Sequence, residues 1–164
     1  NLLINGLQDI SYASINSMNN LPKDRIIRIA YLFIKTKSNI NDLKKSLKSS
    51  NHDITILKKV LLNKKTLSSQ SDAKLSKYIY GKEVALINYL LLTNINNVSV
   101  NKVILAILKD WKIPKLPING KDIIKYKKIN GPEVGIKLKE IEKWWIRKNF
   151  IPDRKECLKK LEFF

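Results

Sequence analysis

Apolar positions recur along almost the whole chain at intervals of three and four, the period of a helix with one face turned to a core. After Pro22, residues Ile26, Ile29, Ala30 and Phe33 stand at i, i+3, i+4 and i+7, and Ile27, Tyr31 and Ile34 cover a second face. This predicts a largely buried helix. Ser38 or Asn39 can cap a short helix through Leu43 and Leu47, and Ser50 or Asn51 the next, with Ile54, Leu57 and Leu61 as its inner stripe. The polar run 67–72 is a connector that also supplies caps for a helix through Leu75 and Ile79, which Gly81 ends. Val84, Ile87 and Leu91 mark another helix, closed by the asparagine-rich run 93–97. Val100, Val103, Ile104, Ile107 and Leu108 mark one more, up to Trp111.

No segment needs a strand, so the pattern predicts an all-α fold: an irregular multi-helix body followed by a small helical tail, with no β-sheet. Pro114 and Pro117, three apart, cannot sit within one helix and force an extended link. The expected organisation is a helical body over 1–113 and a helical tail over 114–164. No repeat period recurs along the chain.

The tail holds two glycine-bearing turns that start helices. Asn119 before Gly120, and Asn130 and Gly131 before Pro132, suit the cap and first-turn positions. Free N–H groups and the positive dipole end of such a helix attract anions, and Gly131 and Gly135 put no side chain in the way. Lys121, Lys125 and Lys128 fall at i, i+4 and i+7 and line one face of the first helix, while Ile123, Ile124 and Tyr126 can face inward. The next helix carries Val134, Leu138, Ile141 and Trp145 as its inward stripe and Lys137 as a further cation. Trp144 lies one step off that stripe beside Arg147 and Lys148, where its indole can stack on a base or sugar, or pack against a neighbouring helix. Pro152 and Asp153 start a final helix with Cys157, Leu158 and Leu161. The candidate contacts with a polyanion are thus Lys121, Lys125, Lys128, Asn130, Gly131, Gly135, Lys137, Trp144, Arg147 and Lys148. A plain helical hairpin with a solvated lysine face has the same pattern.

Composition points the same way as the tail. A net charge of +18 and a pI near 10 call for a polyanionic partner, nucleic acid first. Abundant Lys, Asn and Ile with only four arginines is also the bias of AT-rich genomes, which inflates charge whatever the function. Apolar content of 44% with 5 Gly and 5 Pro argues for an ordered globular protein. No run approaches the roughly 20 apolar residues of a membrane span. The first ten residues lack a basic head, a long apolar run and a cleavage site, so a soluble cytoplasmic protein is expected. Asn1 is not an initiator, and the chain is expected to be a piece of a longer one. Cys157 stands alone, which excludes a disulfide framework and suits a reducing compartment.

Catalytic chemistry finds no footing. The eight aspartates stand at least ten positions apart and never form D-x-D, the arrangement metal-assisted phosphate chemistry wants. His52 is the single histidine, in a polar helix start, and neither a G-x-x-x-x-G-K-[ST] nor a G-x-G-x-x-G loop occurs. Glu140 and Glu142, two apart on a helix, point different ways and are expected to pair with lysines. No catalytic residue, metal ligand or cofactor is therefore assigned within this chain.

On Leu116, Pro117, Ile118, Gly120, Asp122 and Ile123, then Gly131, Pro132, Glu133, Val134 and Gly135 and the helix KLKEIEKWW, the tail resembles the C-terminal region of bacterial class II tRNA nucleotidyltransferases. These are the CCA-adding enzymes and the related poly(A) polymerases, whose tails run L-P-I-x-G-x-D-[IL], then G-P-x-[IVL]-G and a helix rich in acidic and aromatic residues. Weaker echoes lie in the body. Arg28, Ile29, Ala30, Tyr31 and Leu32 are similar to the family's R-L-A-x-L helix, and 47–53 to its L-R-L-S-N-x-[DE] turn. Tyr80, Gly81, Lys82 and Glu83 are similar to its later arginine- and glycine-bearing segment. Lys127 stands where the family often has glycine, Asn130 where it often has proline, and Lys48 in place of the turn's arginine. The resemblance implies an all-helical body and tail that hold tRNA or another structured RNA, the tail on the elbow side, with Lys48 as a further RNA contact. It also implies a separate N-terminal catalytic head that uses Mg with CTP and ATP, so that this chain alone is inactive. CCA addition and poly(A) addition are not distinguished by it. Two other readings fit the residues: a free-standing RNA- or DNA-binding module of the helix-hairpin-helix kind, which holds backbone phosphates, and a helical protein-interaction domain meeting its partner through Trp111, Trp144 and apolar faces.

Overall fold

The computed structural model describes residues 18–36 and 50–163, and among them all regular structure is helical, in eight helices with no strand. The chain divides into two compact units, Asn1–Trp111 and Lys112–Phe164, just ahead of Pro114 and Pro117.

In the first unit, α1 is Arg25–Thr36, α2 is Asn51–Leu62, α3 is Gln70–Tyr80, α4 is Lys82–Ile95 and α5 is Lys102–Asp110. Their starts are set by short polar side chains. Asp24 Oδ1 accepts the Ile27 N–H at 3.0 Å, and Ser50 Oγ accepts the Asp53 N–H at 3.1 Å. Ser69 and Asp72 form a reciprocal capping box, and Asn101 Oδ1 accepts from Val103 and Ile104. Gly81, at φ +83°, is the one residue between α3 and α4, a conformation that disfavours any side chain.

Among the described residues, the core of this unit shows two clusters. Tyr31, Phe33, Ile56, Leu57, Val60, Val84, Ile87 and Leu91 join α1, α2 and α4, and Ala73, Ala85, Tyr89, Ile104 and Leu108 join α3, α4 and α5. Helix α4 serves both, which is why six of its side chains are buried. The Tyr89 hydroxyl accepts the Asn101 N–H at 2.7 Å and so ties the start of α5 to α4.

Several inward stripes differ from those the sequence predicts. In α2 the buried residues are Ile56, Leu57 and Val60, while Ile54 and Leu61 are half-buried. In α3 the inward face is Ala73, Ser76 and Lys77, with Leu75 half-buried and Ile79 57% exposed. The reason is close packing: small side chains let α3 approach its neighbours, and Lys77 runs its stem inward until its ammonium donates to Ile107 O at 3.1 Å, in the last turn of α5. Burial holds Lys77 below the usual lysine range. Val100 and Val103 are exposed, leaving Ile104 and Leu108 as the buried pair of α5. The helix expected through Leu43 and Leu47 lies outside the described residues.

The second unit holds α6, Gly120–Lys127, α7, Pro132–Arg147, and α8, Arg154–Leu161. Its buried residues, among those described, are Ile118, Ile123, Ile141, Trp145, Pro152, Cys157 and Leu161. Trp145 donates its indole N–H to Pro152 O at 3.0 Å and meets the Phe150 ring edge-on at 5.1 Å. Ile124 and Tyr126, expected to face inward, are 42% and 43% exposed. An eight-residue helix packed along one side buries a single large side chain, and in α6 that is Ile123.

Candidate nucleic-acid interface

The two helix starts of the second unit are built differently. At α6, Asn119 Oδ1 accepts the N–H groups of Lys121 and Asp122 at 2.9 and 3.4 Å, and Asp122 Oδ2 accepts the Asn119 N–H at 2.9 Å. The N–H groups expected to be open are thus occupied by the chain's own oxygens. Asp122 is in turn gripped by Arg154, whose guanidinium donates to Oδ2 at 2.8 Å and to Oδ1 at 2.6 Å. That bidentate pair holds the Asp122 carboxyl below the usual range, so it stays ionised and matched to the guanidinium at this start. At α7, Gly131 has φ +68° and no side chain caps the helix, while Pro132 takes the first turn. A Cβ built at Gly135 would meet nothing within 4 Å, so packing does not demand glycine there. A Cβ at Gly120 would lie 3.4 Å from Val134 Cγ1, which places the start of α6 against the first turn of α7. The exposed Glu133 puts a carboxylate in that turn.

The predicted cations separate into two groups. Lys121 and Lys125 are exposed on α6, but Lys128 is its C-cap, with φ +55° and ψ +33°, so the stripe ends there rather than continuing around the helix. Lys127 Nζ donates to Glu162 O at 3.4 Å. Lys137 is half-buried and paired with Glu140 at 3.0 Å, one turn along α7. Trp144 is half-buried, and Asn130, Arg147 and Lys148 are exposed. Lys48 lies outside the described residues.

Two cations were missed. Lys139 and Lys143 are exposed and, with Arg147, stand four residues apart on one face of α7, opposite Ile141 and Trp145. At 1.5 Å per residue the stripe runs about 12 Å, with about 6 Å between successive cations. Among the described residues these three form no ion pair. Glu140 and Glu142 are half-buried, and Glu140 is paired with Lys137. The signal was present in the spacing 139, 143 and 147, but it was overshadowed by the glycine turns. Charge is also denser here. The second unit has 15 Lys and Arg against 7 Asp and Glu, net +8 in 53 residues, and the first has 17 against 7, net +10 in 111.

The described residues hold no cluster of His, Cys, Asp and Glu fit for a metal ion. His52 Nε2 lies 3.3 Å from Glu83 Oε2, and both are exposed. Cys157 is fully buried, and desolvation pushes its thiol up to about 11, far from a nucleophile's range. No described helix is long and apolar enough to cross a membrane. No family model matches the chain, and no curated protein and no solved structure matches it.

Proposed function

We propose that the chain holds structured RNA, tRNA foremost, by its phosphate backbone, and that it is the RNA-binding part of a nucleotidyltransferase acting on tRNA 3′ ends. The observation that carries RNA binding is the exposed stripe Lys139, Lys143 and Arg147 on α7. Lys121 and Lys125 on α6 extend the basic surface. Cations about 6 Å apart on a rigid helix can each address a separate phosphate, a contact that positions RNA without reading its sequence. The narrower reading rests on the resemblance of 116–145 to the tails of class II tRNA nucleotidyltransferases. On that reading the catalytic head, with its Mg, CTP and ATP, lies outside this chain.

The test is a titration of tRNA at several salt concentrations. Neutralising about five phosphates gives a log–log salt slope on the order of −4. Binding indifferent to salt would overturn the proposal and favour a protein partner. Incubation with tRNA lacking its CCA end, CTP, ATP and magnesium is expected to yield no extension, and extension that survives rigorous purification would mean an active site within the chain. One feature favours the helix-hairpin-helix reading instead: α6 and α7 are joined by only the four residues 128–131. Equal affinity for duplex DNA and tRNA would select it.

A further inference from the structure

Between α6 and α8 lies an open groove of about 320 Å³ lined by Asp122, Lys125, Tyr126, Arg154 and Leu158. It differs from the surface around it. Arg154 is neutralised by Asp122, and the Glu162 carboxylate accepts the Tyr126 hydroxyl at 2.6 Å. In a unit of net +8, the lining of this groove sets Lys125 and Arg154 against Asp122, and the Glu162 carboxylate is held at the Tyr126 hydroxyl. A phosphate gains little from a guanidinium already paired with a carboxylate, whereas a flat, uncharged ring gains from flat walls.

The walls are flat and held in place. Tyr126 is 43% exposed and its hydroxyl is tied to Glu162, which keeps that hydroxyl protonated by raising its pKa. The Arg154 guanidinium is fixed by both oxygens of Asp122, yet its side chain is 54% exposed. Leu158 adds an apolar contact. Lys125 forms no ion pair among the described residues. Proteins take unpaired RNA bases by stacking them on aromatic rings and arginine planes, and walls fixed beforehand lose little entropy on binding.

We infer that the groove between α6 and α8 receives one unpaired base of the bound RNA, with the Tyr126 ring and the Arg154 guanidinium as stacking surfaces and Lys125 on the adjoining phosphate. The inference rests on the RNA-binding reading above. It makes the second unit a reader of single-stranded positions as well as a holder of backbone.

The experiment uses the whole chain and a short single-stranded RNA carrying 2-aminopurine, with anisotropy reporting binding and 2-aminopurine emission reporting stacking. Emission is expected to fall on binding, and a matched RNA duplex to bind more weakly. Tyr126→Ala is expected to weaken the single-stranded RNA about tenfold and to restore emission, leaving the duplex unaffected. Tyr126→Phe keeps the ring and is expected to keep the quenching. Binding by the wild-type chain with unchanged emission overturns the groove while leaving backbone binding standing, and needs no variant to fold. Quenching that persists in Tyr126→Ala overturns it as well. Absence of any anisotropy change with either RNA overturns the RNA-binding reading and the groove with it.

Discussion

The unit Asn1–Trp111 is held by apolar area, and the unit Lys112–Phe164 by a few large side chains and the polar ties between helix ends. In the first, α4 is buried on two sides and anchors two clusters. In the second, α6 and α8 have eight residues each, too short to be stable alone, and the core centres on Trp145. Asp122 and Arg154 join the first turns of α6 and α8, while Tyr126 and Lys127 join the last turn of α6 to Glu162 beyond α8. Those paired ends mean that the two helices run in the same direction. The contrast shows how a small bundle frees its outer faces. With cohesion vested in one tryptophan and the helix ends, the outward positions of α7 can be given over to charge.

The strongest way to break this contrast is Trp145→Ala. Removing the indole leaves a cavity and takes the indole N–H from Pro152 O, at a cost of about 3–5 kcal/mol. The helices of the second unit are expected to melt while those of the first persist, seen as a partial loss of far-UV ellipticity. Leu91→Ala in the first unit costs a similar amount by the same rule, and should leave the signal of the second unit in place. A single transition shifted equally by both variants would show that the units do not melt independently.

Next comes charge. Replacing Lys139, Lys143 and Arg147 by alanine is expected to reduce the salt slope of tRNA binding by about 3. The equally exposed Lys58, Lys59 and Lys64 of the first unit serve as the control, and an equal loss there would mean that charge acts without regard to position.

Caps act alike in both units. Asn119→Ala and Ser69→Ala are each expected to cost about 1 kcal/mol, with the larger shift in melting temperature in the smaller unit. The box partners add a pH dependence. Arg154 holds Asp122, and Lys65 with Ser69 holds Asp72, below the ordinary carboxylate range. A depressed folded pKa contributes stability that is complete above the unfolded value, near 4, and is lost as pH falls through the folded value. Both units should therefore weaken below about pH 4, and Asp122→Asn should flatten that loss in the second unit alone when melting is followed against pH.

Glycines give the smallest effects. Gly135→Ala is expected to stabilise by about 0.5–1 kcal/mol, because the site is helical and open. Gly81→Ala is expected to destabilise by about 1–2 kcal/mol, because φ +83° is costly for a side chain. Melting curves distinguish the signs. Gly135→Glu should fold for the same reason as Gly135→Ala, and unchanged RNA affinity in it would remove the α7 start from the interface.

The sequence by itself determined the all-helical class, the caps at Ser50, Ser69, Asn119 and Asp153, the stop at Gly81 and, of the expected inward line of Val134, Leu138, Ile141 and Trp145, the burial of the last two, the first two being half-buried. These are local matters, decided by period, by short side chains that bond their own backbone, and by a residue without Cβ. What only the tertiary structure decided is which of several apolar stripes faces the core, and which charges remain free. In α3, alanine, serine and a lysine stem displaced Leu75 and Ile79, because the gap between helices rewards small volume and a carbonyl awaited the ammonium. Lys137 and Lys139 read alike in sequence, yet one pairs with Glu140 and the other faces solvent. The base-sized groove could not be read at all, since Tyr126 and Arg154 stand 28 positions apart and meet only when α8 packs on α6. Contacts at that separation depend on the packing of whole helices, which no local pattern encodes.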